Sequence, residues 1–305
     1  MKIGLFLIMQ QPGSVSIQTA IHSAIRDAEE AEDLGFNTVW IAEHHGTDYS
    51  ICTSPSVIAA AIAAKTSIIG IGYGVNVVPF HQPRRLVEDI ALVDQLSGGR
   101  VVAGFGSGYS KLEYDIVGVD YELRGQATFE TLTTAFALWS DGKNGIKCFQ
   151  KPHPPIVVAC RSEDAIRSVA QSGHGILLLG GLDRIERSAK VYREVMGNEG
   201  YVGVLRHVLM HNDDARIASP VYEATSWLIT RMRALTGDDS SVNDDDVRGY
   251  LNERCSIGKP NQVAADLRQI ADFGVSELIC WSRWGGLSDD IVLNSMKLQT
   301  KLLDM

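Results

Sequence analysis

Three ionisable residues, Glu43, His44 and His45, stand where the apolar run Val39-Trp40-Ile41-Ala42 ends. Successive side chains of a β-strand point to opposite faces, so Glu43 and His45 would share one face and His44 would lie on the other. Ionisable groups are costly to bury without partners. Two histidines and a glutamate at the end of an apolar strand therefore favour a functional site over a purely structural role.

Metal binding is one use for such residues. Zinc sites take histidine and carboxylate ligands that converge on one ion. The adjacent side chains of His44 and His45 diverge, however, and histidines two positions apart would serve a zinc-type barrel better. The spacing disfavours a metal site, and we expect none.

Two glycine-rich runs also follow or continue apolar segments, Gly70-Ile71-Gly72-Tyr73-Gly74 and Gly104-Phe105-Gly106-Ser107-Gly108. Neither has the G-x-G-x-x-G spacing of dinucleotide-binding loops, and in the second run Tyr109 stands where that spacing requires glycine. Two interpretations remain open. The glycines relieve crowding where barrel strands bend, or they let a flat ring lie against the backbone.

The segment Ala159-Cys160-Arg161-Ser162-Glu163 ends one apolar run and begins a helix-like one. A helix N-terminus presents unpaired amides and the positive end of a dipole, which together attract anions. Arg161 adds forked donors and Ser162 adds a hydroxyl. We predict a phosphate site here, and the alternative is that Ser162 only caps its helix.

Composition limits the functional class. The chain has 305 residues, 45% of them hydrophobic, and a formal net charge of −9, which argues against nucleic-acid or anionic-membrane partners. Five scattered cysteines predict reduced thiols and a cytoplasmic location. No apolar run approaches the roughly 18 residues of a membrane span. The first apolar run is too short for a signal peptide, so we interpret it as a strand.

Strand-like and helix-like segments alternate along nearly the whole chain. About eight such units in this length favour a closed (β/α)8 TIM barrel, a single domain over residues 1–305, rather than an open doubly wound sheet. The predicted strands cover residues 3–8, 39–45, 68–78, 100–106, 156–160, 175–179, 202–210 and 277–282. The predicted helices cover residues 17–34, 54–64, 83–96, 124–139, 163–172, 182–196, 215–235, 261–273 and 289–303.

A barrel would give the candidate residues defined positions, because barrel active sites lie at the carboxyl ends of the strands. Trp40 and His44 would face inward, with His44 at the mouth. His45 would point into the helix layer or a subunit contact.

Other segments are less definite. Residues 107–123 are predicted as a long loop, residues 141–155 as turns with a small hairpin, and the acidic stretch within 236–258 as a mobile loop. Near the last strand, Trp281, Arg283 and Trp284 either line a pocket or pack, and the sequence leaves both open.

The pattern as a whole resembles the catalytic subunits of the bacterial luciferase family, the flavin-dependent luciferase-like monooxygenases. The resemblance covers nearly the whole chain. It rests on Lys2-Ile3-Gly4-Leu5-Phe6-Leu7, Gly35-Phe36-Asn37-Thr38-Val39-Trp40 leading into Glu43-His44-His45, Val87-Glu88-Asp89, Leu92-Val93-Asp94-Gln95-Leu96-Ser97-Gly98-Gly99-Arg100 and Ser295-Met296-Lys297-Leu298.

That resemblance implies a barrel that binds reduced FMN non-covalently, with the FMN supplied by a separate flavin reductase. Dioxygen would form a C4a-hydroperoxide on the flavin that oxygenates an organic substrate. His44 falls on the family's catalytic histidine. The implied cofactor contacts are Glu43, Gly74, Val75, Gly106, Ser107, Ala159, Cys160, Arg161 and Ser162, with a non-prolyl cis peptide at Gly74–Val75 beneath the ring.

Family members commonly form homodimers through the helices that correspond here to residues 54–64 and 83–96. By the same resemblance, His45 and Glu88 are candidates for that contact.

The chain also departs from luciferase. Gly106 replaces a reactive cysteine, Ser107 a phosphate-binding arginine, and Gly180 a tryptophan beside the ring. The segment that matches the mobile lid is shorter. We therefore expect no bioluminescence and another substrate, either a small molecule or one presented by a carrier protein.

Two rival functions come from other classes. A deazaflavin-dependent dehydrogenase would share the barrel and the general sequence style. A non-catalytic flavin-binding protein is the other, although the retained Glu43-His44-His45 favours an enzyme.

Overall fold

Eight parallel strands pair side by side and close on themselves in a computed structural model, which describes residues 1–13, 15–141 and 147–302. The strands of the sheet are β1 (Lys2–Leu7), β2 (Thr38–Ile41), β3 (Gly70–Tyr73), β4 (Asn76–Val77), β5 (Val101–Gly106), β6 (Ile156–Ala159), β7 (Gly175–Leu179), β8 (Val202–Met210), β9 (Cys255–Gly258) and β10 (Glu277–Trp281). The order β1-β2-β3-β5-β6-β7-β8-β10 returns to β1, which confirms the barrel and excludes the open sheet. The short β4 pairs with the end of β5, and β9 pairs with the second half of β8.

Helices connect the strands and cover the barrel. They are α1 (Ile17–Asp33), α2 (Pro55–Lys65), α3 (Pro83–Ser97), α4 (Lys111–Val117), α5 (Arg124–Asp141), α6 (Glu163–Gln171), α7 (Leu182–Met196), α8 (Asp214–Leu235), α9 (Asp244–Arg254), α10 (Pro260–Asp272) and α11 (Asp289–Gln299). Each predicted helix is present within a few residues of its predicted bounds. Residue 303, the predicted end of the last helix, lies outside the described residues.

The prediction of one long loop after β5 is wrong, because α4 lies within it. The Ser110 side chain accepts a hydrogen bond from the Glu113 amide, and Gly118 ends the helix in the left-handed conformation. Serine followed three residues later by glutamate is a helix-start pattern, so the signal was present in the sequence. The long strand predicted over residues 68–78 is likewise divided into β3 and β4, with a cis peptide at Gly74–Val75 between them.

Two further predictions meet the limits of the described chain. The predicted hairpin falls partly on residues 142–146, outside the described residues, and residues 147–155 contain no strand. Within the predicted mobile loop, α9 begins at an Asn243–Asp246 capping box and β9 follows it. The mobility itself stays a prediction. Among the described residues, no helix has the length and apolar character to cross a membrane.

Trp40 lies inside the barrel, as the alternation predicted, and it is 1% exposed. Its Nε1 donates to Glu277 Oε1 at 3.0 Å, and the Tyr201 hydroxyl donates to the other oxygen at 2.9 Å. Burial raises the pKa of Glu277 against the effect of these two donors. Each oxygen of the buried Glu277 carboxyl group thus accepts a hydrogen bond, as buried polar groups require.

Crowding explains several glycines in the two glycine-rich runs. A Cβ added at Gly104 would lie 1.7 Å from the Tyr73 carbonyl oxygen, and one added at Gly72 would lie 2.4 Å from the Trp40 ring. Gly104 lets β5 pass close to the backbone of β3, and Gly72 makes room for the indole. At these two positions the structure supports the crowding interpretation.

We predict that Gly104→Ala lowers the free energy of unfolding by about 3 kcal/mol, because a backbone carbonyl cannot move aside for the added methyl group. Urea titration followed by tryptophan fluorescence measures the change. Gly125→Ala is the matched control, since a Cβ at Gly125 meets nothing within 4 Å. The control should be neutral or more stable by up to about 1 kcal/mol. Equal unfolding midpoints for the two variants would contradict the prediction.

Candidate active site

His44 is held at the barrel mouth by Glu113, a residue that the sequence reasoning missed. Its Nδ1 lies 2.8 Å from Glu113 Oε1, and the same oxygen accepts the His45 backbone N–H at 3.1 Å. An oxygen that already accepts one N–H accepts a second from Nδ1, which leaves Nε2 as the free ring nitrogen. The His44 and Glu113 side chains are 11% and 3% exposed. A carboxylate therefore fixes both the tautomer and the direction of the imidazole.

Two tyrosines pack edge-on against His44. The ring centroids of Tyr49 and Tyr109 lie 4.8 Å and 6.3 Å from that of the imidazole. Burial raises the pKa of Tyr109 to about 12 and that of Tyr49 further, so both phenols stay neutral. The catalytic candidate is thus enclosed by neutral aromatic rings.

Glu43 points to the opposite face of the strand end, as alternation predicted. Its carboxylate lies 2.9 Å from Nε2 of both His45 and His81, and it accepts the Val77 backbone N–H at 2.7 Å. Burial disfavours the charged form, but the three donors outweigh burial and the pKa of Glu43 lies below its usual value. With no exposed surface, the Glu43 side chain holds the segment after the cis peptide and does not reach the mouth.

The residues predicted to lie under a flat ring do come together. A Cβ added at Gly106 would lie 2.7 Å from Val75 Cγ2, and one added at Gly74 would lie 3.3 Å from Trp40 Cβ. Gly74 and Val75 are joined by the cis peptide that the resemblance implied. Ser107 follows directly on β5, and its carbonyl accepts the Tyr114 hydroxyl. Val75 therefore lies against Gly106, and Gly74 lies next to Trp40 on β2.

The predicted phosphate segment lies at the end of β6. Ser162 caps α6 through a hydrogen bond that its hydroxyl oxygen accepts from the Ala165 amide at 3.3 Å, so the capping interpretation is confirmed. Its hydroxyl hydrogen is still available to an anion. Ala159 and Arg161 are exposed. Burial raises the pKa of the Cys160 thiol to about 12, so that group is an inert neighbour and not a nucleophile.

Arg161 connects this segment with the His44 cluster. Its guanidinium lies 5.9 Å from the centroid of the Tyr109 ring that packs against His44. Among the described residues it has no carboxylate partner. An unpaired guanidinium, the first amides of α6 and the uncovered Ala159 together fit an anionic group attached to an apolar body.

A second buried histidine, His207 on β8, was also missed. It stacks on Trp281 with ring centroids 4.0 Å apart, and its Nε2 lies 2.9 Å from the Tyr250 hydroxyl. Burial and the nearby Arg206 lower the pKa of His207 to about 3, so it is neutral at physiological pH.

Of the residues near the last strand, Arg283 and Trp284 line a cavity between α1 and the end of β1, whereas Trp281 packs on His207. Trp284 lies edge-on to His207, with ring centroids 5.0 Å apart. Arg283 is paired with Asp27 and Asp289.

These features define the class of protein. A parallel barrel that brings a carboxylate-oriented imidazole and an arginine without a described carboxylate partner to the carboxyl ends of its strands has the architecture of a barrel enzyme. The chain belongs to the luciferase-like monooxygenase family, whose model matches residues 1–277, and it is therefore a flavin-dependent oxidoreductase of that family.

Curated relatives agree with that assignment. The alkanal monooxygenase alpha chain of Photorhabdus luminescens is 33% identical, with 98% of this chain and 95% of the relative covered. The oxygenase component of the flavin-dependent trigonelline monooxygenase of Acinetobacter baylyi is 22% identical, with 92% and 89% covered.

Solved structures show the same fold. The monooxygenase RslO1 of Streptomyces bottropensis superposes with a TM-score of 0.89 at 21% identity, covering 100% of this chain and 99% of its own. The oxygenating constituent of a 3,6-diketocamphane monooxygenase from Pseudomonas putida, in complex with FMN, gives 0.80 at 19% identity, covering 99% and 97%. An F420-dependent secondary alcohol dehydrogenase also shares the fold, with a TM-score of 0.75 at 14% identity, covering 97% of both chains.

We predict that Glu43→Gln lowers the free energy of unfolding by about 3 kcal/mol near neutral pH, because three donors lose a charged acceptor. Since the folded-state pKa of Glu43 is below 4.5, this contribution is present above pH 4.5 and is lost as the pH falls through the folded-state pKa. Urea titrations of both proteins across that range measure the difference. If the difference in free energy of unfolding between the two proteins grew as the pH falls, the role assigned to the Glu43 carboxylate would be contradicted.

Proposed function

We propose that this chain is the oxygenase of a two-component flavin-dependent monooxygenase, which takes reduced FMN from a separate flavin reductase and oxygenates an organic substrate. The observation that carries the proposal is the contact sequence from Glu113 through His44 and Tyr109 to Arg161. Under this proposal it would join a proton-handling pair to an anion site at one barrel mouth. The relative named as the oxygenase component of a monooxygenase supports the two-component arrangement.

The residues at the ends of β3, β5 and β6 suit FMN. Arg161, Ser162 and the first amides of α6 would hold the phosphate, with Ala159 and Cys160 beneath the ribityl chain. Gly74, Val75, Gly106 and Ser107 would lie against the ring. Glu43 would act by holding the Gly74–Val77 segment rather than by touching the flavin. Bound reduced FMN supplies the electrons that activate dioxygen.

His44 and Glu113 would manage the proton that oxygenation requires. Glu113 keeps the Nδ1–H of His44 engaged, so Nε2 presents a lone pair to the mouth and can take up or return a proton there. An imidazole held in one tautomer and one orientation does not need to reorient before it transfers a proton. The phenols of Tyr49 and Tyr109 exclude water around it, which protects reactive oxygen chemistry.

The substrate class is open between a small molecule and one presented by a carrier protein. The neutral cluster of His207, Trp281 and Tyr250 would give the proposed site an uncharged wall, which suits an organic substrate with few charges. Oxygen insertion next to a carbonyl group and hydroxylation are both compatible with this wall.

We also infer a homodimer through α2 and α3. Val57 is 66% exposed, Leu92 43% and Leu96 66%, so these helices present apolar side chains to solvent. Exposed apolar residues that cluster on two packed helices indicate a protein contact. His45 binds Glu43 and packs on Phe80 within its own chain, and Glu88 pairs with Arg84 and Arg85, and both remain candidates for the dimer contact.

We expect the protein to bind reduced FMN and to slow its reoxidation in stopped-flow mixing with oxygen, because the enclosed mouth excludes water. At least one absorbing species distinct from reduced and oxidised flavin should appear. Parallel titration with the deazaflavin coenzyme F420 tests the alternative function, a deazaflavin-dependent dehydrogenase, which would bind F420 rather than FMN. Reoxidation at the rate of free FMN, with tight binding of oxidised flavin, would instead favour a non-catalytic flavin-binding protein.

His44→Ala should bind FMN normally but uncouple oxygen consumption from product formation.

We expect Glu113→Gln to reduce kcat roughly 100-fold with little change in KM, because it removes the charge that orients the imidazole. The pH profile of kcat should also change. Glu130→Gln, which removes an exposed carboxylate from α5, is the control. If Glu113→Gln turns over like this control, Glu113 has no positioning role.

A further inference from the structure

A cavity of about 220 Å³ lies between helix α1 and the barrel, where β1 ends and the loop after β10 begins. Strands β1 and β10 are neighbours, and the order of strands places them across the barrel from β5 and β6. The described residues that line the cavity do not include His44, Glu113 or Arg161. The cavity is therefore a separate space from the site proposed for the flavin.

The inner walls of this cavity are apolar. Phe6 and Ile8 line it from the end of β1, and Trp284 lines it from the loop after β10. Helix α1 contributes Ala20 and Ala24, which lie four residues apart and therefore on one face of the helix. Their small side chains leave room between the helix and the barrel.

The charged residues at the edge of the cavity neutralise one another. Arg283 donates to both carboxylate oxygens of Asp27 at 2.6 and 3.0 Å and to Asp289 at 2.7 Å. Arg26 pairs with Asp289 at 2.8 Å. Two arginines and two aspartates leave this network without net charge. A charged ligand would therefore find no counter-ion in it.

Gln10 provides a polar group that is still without a partner. It lines the cavity and is 8% exposed, and its side-chain oxygen accepts the Gly285 backbone N–H at 2.7 Å. The amide nitrogen Nε2 is buried and has no hydrogen-bond partner within the described residues. The hydroxyl groups of Thr19 and Ser23, which also line the cavity, already form hydrogen bonds within α1 and its N-cap. A buried donor without a partner is costly, so Nε2 indicates a ligand that supplies an acceptor.

We propose that this cavity binds a small uncharged organic molecule with one hydrogen-bond acceptor, such as a ketone oxygen, which accepts from Gln10 Nε2. An apolar cavity of about 150 Å³ holds benzene, so by proportion a cavity of about 220 Å³ holds roughly nine non-hydrogen atoms. Trp284 lies edge-on to His207, with ring centroids 5.0 Å apart, so the bound molecule lies one aromatic ring away from His207. The inference does not rest on the proposed function.

Three probes of similar size test this ligand class. Acetophenone carries a ketone, isopropenylbenzene has the same shape without an acceptor, and benzoate carries a negative charge. Each is titrated into the full-length protein, without added flavin, and followed by saturation-transfer NMR. Acetophenone should bind about fivefold or more tighter than isopropenylbenzene, because it gains one hydrogen bond. Benzoate should bind at least about tenfold more weakly than acetophenone, because a buried charge needs a partner.

Two variants assign the binding to this cavity. Ala24→Leu should abolish binding of both uncharged probes, because the larger side chain occupies the space. Gln10→Glu keeps an oxygen for the Gly285 N–H but removes the donor, so the preference for acetophenone over isopropenylbenzene should disappear. Ala218→Leu, the same change as at Ala24 but at an exposed position of α8, is the control and should change neither affinity. Thermal unfolding checks that each variant is folded, and if Ala24→Leu is not, the affinity ratio in Gln10→Glu decides.

Three results would overturn the proposal. Acetophenone that binds folded Ala24→Leu as tightly as it binds the parent protein occupies another site. Equal affinities of the parent protein for acetophenone and isopropenylbenzene would exclude recognition of an acceptor by Gln10. An absence of binding by all three probes at millimolar concentrations would show that the cavity holds only water.

Discussion

The mouth of this barrel depends on one constraint, which is that successive side chains at the end of β2 point to opposite faces of the strand. It sends Glu43 and His45 outward and His44 inward, and each ionisable group must then find a partner in a buried setting. Glu43 meets that requirement with His81 and the Val77 amide, which fixes the segment after β3. His44 meets it with Glu113, which fixes α4. Two loops from different parts of the chain are therefore positioned by one strand end.

The barrel interior imposes a second constraint, because Trp40 is large and the strands around it are close. Gly72 has no side chain and therefore leaves room for the indole, and Gly104 likewise leaves room for the backbone of β3. The indole N–H of Trp40 needs an acceptor in that core, and Glu277 provides it. Burial then raises the pKa of the Glu277 carboxyl group. Packing near the floor of the barrel thus determines which positions near the mouth can carry side chains.

The sequence alone predicted the eight strands and the inward face of β2, because both follow from hydrophobic periodicity within a single segment. It missed Glu113, whose helix α4 has only seven residues and too few turns for a periodic pattern. Its partner His44 lies 69 residues earlier, and only closure of the barrel brings the two together. His207 was missed for a related reason, since its stacking partner Trp281 comes from a strand that neighbours β8 in space but not in sequence. Local patterns predict elements, whereas contacts between strand ends require the topology.

The two sides of the mouth differ in charge, and the difference orders what can bind where. On the side of β6 and β7, Arg161 and Arg184 present cations that form no ion pair with a described carboxylate. On the opposite side, His207 stays neutral because burial and Arg206 lower its pKa to about 3, and Trp281 covers one face of its ring. Under the proposed function, an elongated ligand with a phosphate at one end would place that end toward β6. An uncharged organic group is then left to the wall formed by β8 and β10, with His44 and Glu113 facing the space between.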